Sequence, residues 1–293
     1  MSKTPTGLYS RPQAPESAKH LGTDPIPLNT GAPPFPVHPS VSKAIIKAVE
    51  ASKEKLSYPP TRGLEDLRKK VAHDYGYADE GVLITYGASQ ALYNILDTIG
   101  DEEVLIPAPF WFAFPNIVAQ GRGKLKIIQT NAENNFKLTP QQLAQSITWK
   151  SRILLLTNPN NPTGAIYTRD ELDALVEVLK KHPRLLVVSD EVYNLLSLDG
   201  KPCPSISSWP EMHERVLVIN SLSKNFAMSG LRVGSSRRIR CGPTSISRNR
   251  TTQPRESMNS CNAERWPRSK ALTRLSRRWS RHCERGGQRL SSC

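Results

Sequence analysis

Six short, unbroken apolar runs between Val82 and Asn220 constrain the fold more than any other feature. They are Val82-Leu-Ile-Thr-Tyr86, Glu103-Val-Leu-Ile-Pro107, Leu125-Lys-Ile-Ile-Gln129, Arg152-Ile-Leu-Leu-Leu-Thr157, Leu185-Leu-Val-Val-Ser189 and Val216-Leu-Val-Ile-Asn220. A strand with one wet face alternates apolar and polar residues, whereas a parallel strand covered on both faces reads as a continuous apolar run. Between these runs lie helix candidates at 88–98, 110–120, 139–147 and 168–182. Thr139-Pro140 supplies a cap and a first-turn proline for the third. Thr168-Arg-Asp-Glu171 is close to a capping box for the fourth. Strands alternating with helices predict a three-layer α/β/α sandwich around a mainly parallel sheet. Ligands of such sheets gather beyond the C-terminal ends of the strands.

The flanks read differently. Residues 1–40 are rich in proline and lack periodicity, which predicts an extended arm. Apolar spacing at Val41, Ile45 and Val49 predicts a helix from Ser40 to about Lys55, with Ser40 or Ser42 as its cap, and a second helix covers 63–75. Residues 41–234 form the expected large domain. From Ser235 the texture changes: 25 of the last 59 residues are Arg or Ser, and no apolar period persists. That composition does not readily build a core. It has the texture of translation in a wrong reading frame or through an unspliced intron, so 235–293 is expected to be an aberrant, irregular tail. The formal charge of +14 belongs largely to this tail, whose 14 Arg and 1 Lys against 3 Glu give +12 and leave +2 for residues 1–234. A nearly neutral body argues against a nucleic-acid partner. A basic tail that binds RNA or DNA is the minor reading.

No run approaches the ~18 apolar residues of a membrane span, and the first residues lack a secretory apolar core. Cysteines 203, 241, 261, 283 and 293 include no CxxC pair, so neither a zinc site nor a disulfide scaffold is expected. These features place the chain in the cytoplasm.

Chemistry concentrates in Asn220-Ser-Leu-Ser-Lys-Asn-Phe-Ala-Met-Ser-Gly-Leu-Arg-Val-Gly234. Lys224 follows a buried strand and so stands at the sheet edge. An amine desolvated there loses its proton readily and can form a Schiff base. Ser221, Ser223 and Arg232 suit a phosphate. Together they suggest a lysine that holds pyridoxal 5′-phosphate (PLP). Asp190 ends another buried strand at the same edge. Gly87-Ala-Ser-Gln opens a helix, where the backbone amides of Ala88 and Ser89 suit an anion.

The Lys224 run resembles the cofactor-lysine signature of the fold-type I, class I/II aminotransferases. Four further segments match in order: Tyr58-Pro-Pro-Thr-Arg-Gly-Leu-Glu-Asp-Leu-Arg68, Tyr86-Gly-Ala-Ser-Gln-Ala-Leu92, Asn158-Pro-Asn-Asn-Pro-Thr-Gly164 and Ser189-Asp-Glu-Val-Tyr193. The resemblance spans roughly Leu28 to Gly234. It implies that Lys224 anchors PLP and moves the substrate proton, and that Asp190 keeps the pyridine nitrogen protonated. It implies that Asn161 and Tyr193 hydrogen-bond the phenolate oxygen, and that Trp111 stacks on the ring. Tyr58 would reach the phosphate of a neighbouring subunit in a homodimer, and Gly31 would lie near the substrate carboxylate. The substrates implied are an amino acid and a 2-oxo acid.

The family binds the substrate α-carboxylate through an Arg of a small C-terminal domain. No residue after Gly234 stands in a matching context, so that domain reads as missing or replaced and transamination as impaired. A lyase of the same superfamily, cleaving a carbon–sulfur bond or forming a cyclopropane, would share every cofactor residue named. A non-catalytic truncated product is the alternative from another class.

Overall fold

All six apolar runs are strands in a computed structural model that describes residues 31–33, 36–51, 58–76, 81–196 and 203–237. The N-terminal arm up to residue 30 and the tail from 238 lie outside the described residues. The described residues divide into two units: 37–84 with Arg237, and 85–236 with those described before Val37.

The smaller unit holds α1 (Pro39–Glu50) and α2 (Glu65–Tyr75). The cap of α1 is His38, not Ser40 or Ser42: the His38 Nδ1 accepts from the Ser40 amide at 3.2 Å. Pro39 explains the shift. Its fixed φ suits the first helical position and its missing N–H is no loss there, so the helix begins earlier. Leu67, Val71 and Ala72 of α2 pack with Val82. α2 stops at Gly76, whose φ of 66° lets its amide return to the last turn. β1 (Val82–Thr85) is where the smaller unit gives way to the larger along the chain.

The larger unit continues with α3 (Ala88–Ile99), β2 (Glu103–Ala108), α4 (Phe114–Gln120), β3 (Lys124–Gln129), α5 (Pro140–Ser146), β4 (Ser151–Thr157), α6 (Arg169–Lys180), β5 (Leu186–Asp190), β6 (Val216–Ser221), α7 (Leu222–Asn225) and β7 (Gly234–Arg237). Its strands run in the order β7-β6-β5-β4-β2-β3. β2 to β6 pair in parallel, and β7 lies antiparallel on β6 with Ser221 opposite Gly234. The sheet is mixed and mostly parallel, as the apolar runs predict. Ser235 and Ser236, which composition groups with the tail, are buried in β7. α4 starts at Phe114 rather than residue 110, because Pro115 fits only in a first turn; deeper in a helix its ring would clash with a preceding carbonyl.

The period of two along each strand divides the core. Val104, Ile106, Ile153, Leu155, Val188 and Ile219 pack with Ala91, Leu92, Ile95 and Leu96 of α3 and Phe114 and Val118 of α4. The alternate residues Leu105, Leu154, Leu156 and Val187 point the other way and are equally buried, so both faces are covered. α6 contributes Leu172, Leu175, Val176 and Leu179 to the core, and α5 contributes Leu143. Both helices open with a full capping box. Thr139 pairs with Gln142 and Thr168 with Glu171, each side chain bonding the other residue's backbone amide. Such a cap is worth about 1 kcal/mol. These helices hold the strands so that their C-terminal ends, and the loops that follow, share one edge.

Candidate active site

Asp190 is the last residue of β5 and stands opposite Thr157 of β4 and Ile219 of β6. Neighbouring strands are about 4.8 Å apart, so the segments leaving β4, β5 and β6 emerge side by side. They carry Asn161, Tyr193 and Lys224. The Asn161 Nδ2 donates to the Tyr193 hydroxyl at 3.2 Å. Asp190 is only 8% exposed. Burial pushes its carboxyl up to about 6, against the opposing pull of the Val192 N–H, which donates at 3.3 Å. Burial also raises the Tyr193 phenol. The Asp190 charge adds to that rise, and the Asn161 bond opposes it.

Lys224 lies on α7, a single turn directly after β6. Ser221 caps that turn: its Oγ accepts from the Ser223 amide and donates to the Val233 carbonyl, both at 3.1 Å. The Lys224 Nζ donates to the Gly31 carbonyl. Its pKa lies below that of an ordinary lysine, first because it is desolvated and second because Arg232 is near. A Cβ built on Gly31 would stand 2.9 Å from Nζ. Gly31 therefore leaves room for the amine, beyond any role in a turn.

A second group of residues forms a cradle beside Lys224. Gly87, with φ 80°, precedes α3, whose first turn has no side-chain cap. Its orphan amides, including those of Ala88 and Ser89, attract an anion. A Cβ on Gly87 would meet the Arg232 Nη2 at 2.6 Å, so the guanidinium lies directly against this turn. Gly234 brings the opposite wall close: a Cβ there would fall 2.5 Å from the Gly87 carbonyl carbon and 2.8 Å from the Ala88 nitrogen. Arg232 is held by the Ser229 carbonyl at 3.0 Å and the Ser223 Oγ at 3.4 Å. The cradle is thus two backbone segments in close approach, lined by amides, hydroxyls and one guanidinium.

Trp111 is half-buried and meets Phe112 and Phe114 edge-on, with ring centroids 5.7 and 5.4 Å away. Its loop is tied to the one after β4 by the Asn160 Nδ2, which donates to the Pro109 carbonyl at 3.2 Å. Tyr58 belongs to the smaller unit and is 78% exposed. The structure thus links Lys224 with Gly31 and Arg232, Tyr193 with Asn161 and Asp190, and Arg232 with Ser223 and Gly87. Two further features go beyond those expected from sequence. Glu191 is buried, and its Oε1 accepts from the Ser189 and Ser205 hydroxyls at 2.7 and 2.6 Å. The acid pair Asp190-Glu191 after a buried strand is its available signal. Asn194, Asn220 and Asn225 form a hydrogen-bonded cluster with no signature in their spacing.

The site combines an amine whose pKa is lowered by desolvation, an anion cradle, a buried carboxyl and a phenol–amide pair. That donor set suits a planar aldehyde with a phosphate at one end. Among the described residues no group of His, Cys, Asp and Glu could hold a metal ion.

Residues 23–236 match the model of the family described as aminotransferase class I and II. The aspartate aminotransferase of Geobacillus stearothermophilus is 37% identical over 80% of this chain and 61% of its own length. The aspartate/prephenate aminotransferase of Cereibacter sphaeroides is 33% identical over 86% of this chain and 64% of its own length. The structure of Thermus thermophilus aspartate aminotransferase with maleate superposes with a TM-score of 0.69 at 30% identity, covering 76% of this chain and 59% of that one. The chain spans about three fifths of the length of the curated relatives it matches.

Proposed function

Since the chain belongs to the class I and II aminotransferase family, we propose that it is built to move an amino group from an amino acid to a 2-oxo acid, with PLP held on Lys224. The convergence on one sheet edge of the Lys224 amine, the buried Asp190 carboxyl and the Gly87–Arg232 cradle carries this reading. When bound, PLP supplies an electron sink for the substrate's α-carbon. The protein's residues do the rest. The α3 amides with Ser221, Ser223 and Arg232 bind the phosphate by charge-assisted hydrogen bonds. Asp190, costly to ionise alone, would ionise opposite a pyridinium and would hold the proton on that nitrogen. Asn161 and Tyr193 would donate to the phenolate oxygen, and Trp111 would cover the ring. The Lys224 Nζ moves the proton taken from the substrate's α-carbon, a task its lowered pKa favours.

The names of the relatives make a dicarboxylate such as aspartate the first donor to test. Tyr58, exposed in the smaller unit, supports a homodimer in which it reaches a neighbouring phosphate. No helix among the described residues is long and apolar enough to cross a membrane, and a cytoplasmic location accords with that. The large-domain boundaries 41–234 belong to the same reading. The expected impairment by the tail concerns residues outside those described.

A single-turnover assay reads the site's chemistry even where turnover is slow. PLP-loaded chain is mixed with one amino acid at a time, and absorbance follows conversion of the cofactor to its amine form. Conversion by aspartate, lost in Lys224→Ala, is the expected result. Release of ammonia with the cofactor unchanged would instead indicate a lyase, and no response to any donor would favour the non-catalytic product over an active transaminase.

A further inference from the structure

We infer that Asn194, Asn220 and Asn225 act as one positioning unit that fixes where Lys224 presents its amine, by fastening α7 to the loop that carries Tyr193. Asn225 directly follows Lys224, Asn194 directly follows Tyr193, and Asn220 lies in β6 just before the Ser221 cap. The Asn225 Nδ2 donates to the Asn194 Oδ1 at 2.9 Å and to the Asn220 Oδ1 at 3.3 Å. The Asn220 Nδ2 donates to the same Asn194 oxygen at 3.3 Å. Two backbone amides close the network: Leu195 donates to the Asn225 Oδ1 at 3.4 Å, and Ser221 to the Asn220 Oδ1 at 2.7 Å.

The physical need comes from α7. A helix of four residues cannot hold its own conformation, because nucleation outweighs the few bonds it makes. Ser221 fixes its start. Its end, where Lys224 sits, is held by Asn225 reaching across to the β5 loop. Lys224 then extends along a flexible four-carbon stem. A small rotation of its backbone swings the amine by an ångström, a displacement large enough to disturb a reacting geometry. The same network fixes the residue next to Tyr193, so the amine and the phenol–amide pair share one frame. Each bond is modest alone, and the sharing of the Asn194 and Asn220 oxygens makes the three side chains interdependent.

The inference rests on the reading of Lys224 as the reactive amine, and its test needs no cofactor. The 293-residue chain is labelled by reductive methylation across a pH series, and modification of Lys224 is measured by peptide mass spectrometry. Wild type is compared with Asn194→Ala, Asn225→Ala and the double variant. Arg232, the neighbouring cation, is present in all four, so the labelling midpoint reports where the amine sits. Each single variant should move the midpoint up toward that of an ordinary lysine, and the double variant should move it no further than the larger single. Unchanged midpoints alongside lower thermal stability would overturn the inference, leaving a merely structural cluster. Shifts that add in the double variant would overturn it too. Asn194 and Asn225 are half-buried, which favours folding of the variants. Should an alanine variant not fold, Asn225→Ser keeps a polar side chain too short to bridge the Asn194 and Asn220 oxygens, and an unshifted midpoint there also counts against the proposal. PLP found on another lysine would refute the cofactor assignment while the labelling series still decides the positioning role.

Discussion

Asp190 should make the cofactor-free protein less stable as pH rises, and replacing it with a neutral residue should remove that dependence. Its carboxyl is pushed from 3.8 up to about 6 by burial. The native state therefore holds the proton more tightly than the unfolded chain. Between pH 3.8 and about 6 the native state binds more protons, so stability falls as pH rises through that window. At 1.36 kcal/mol per pKa unit, a rise of this size corresponds to about 3 kcal/mol above the window. Asn is close to Asp in shape, is neutral at every pH, and keeps an oxygen to accept from the Val192 amide. Asp190→Asn should thus be more stable than wild type by about 3 kcal/mol at pH 7.5, and nearly equal to it at pH 3.5. Urea unfolding of cofactor-free protein across this pH range measures the difference directly. Adding PLP should narrow the gap, because only the wild-type carboxylate gains a cationic partner. A difference that is flat with pH, or a less stable Asn variant at pH 7.5, would refute the desolvation argument.

The cradle makes Arg232→Ala a specific test: losing a charged hydrogen bond of about 1.5–3 kcal/mol should weaken PLP binding roughly 10- to 100-fold, read by fluorescence titration. Tyr193→Phe removes the hydroxyl that accepts from Asn161. It should raise the pH midpoint of the bound cofactor's visible band, since one donor to the phenolate is gone. Gly234→Ala places a Cβ 2.5 Å from the Gly87 carbonyl carbon, where only backbone can yield. Its melting temperature should fall by several degrees and PLP retention should fall with it, in a thermal melt with and without cofactor. The two N–H groups of the Arg215 Nη2 are shared among the carbonyls of Leu179 in α6 and of His182 and Leu185 just after it, at 2.7–2.9 Å. Arg215→Met leaves these acceptors without that donor and should cost roughly 2–3 kcal/mol in urea unfolding.

Much of this site is legible in the sequence because it follows strands. Continuous apolar runs set β2, β4, β5 and β6, and a residue just past such a run must emerge at the sheet edge. That logic alone places Asp190 and Lys224. Thr139 and Thr168 are legible as caps because a capping box is local. Tertiary features are not legible in this way. His38 replaces the expected serines as cap because Pro39 takes the first helical position. β7 has a polar sequence, Gly-Ser-Ser-Arg, and is a strand because β6 offers it backbone partners. The close approach of Gly234 to Gly87 joins residues 147 positions apart, and nothing in either local sequence specifies the other. The asparagine cluster is the strongest case. Two of its side-chain bonds span 26 and 31 residues, and no spacing in the sequence relates Asn194 to the other two.

The central claim is that Lys224 holds the cofactor. Purified 293-residue chain is incubated with PLP, reduced with borohydride, digested and mapped by mass spectrometry. The expected result is a visible band that disappears on reduction, with the pyridoxyl group recovered on the peptide containing Lys224 and absent in Lys224→Ala. A label on another lysine, or spread over several surface lysines with no saturation, would contradict it.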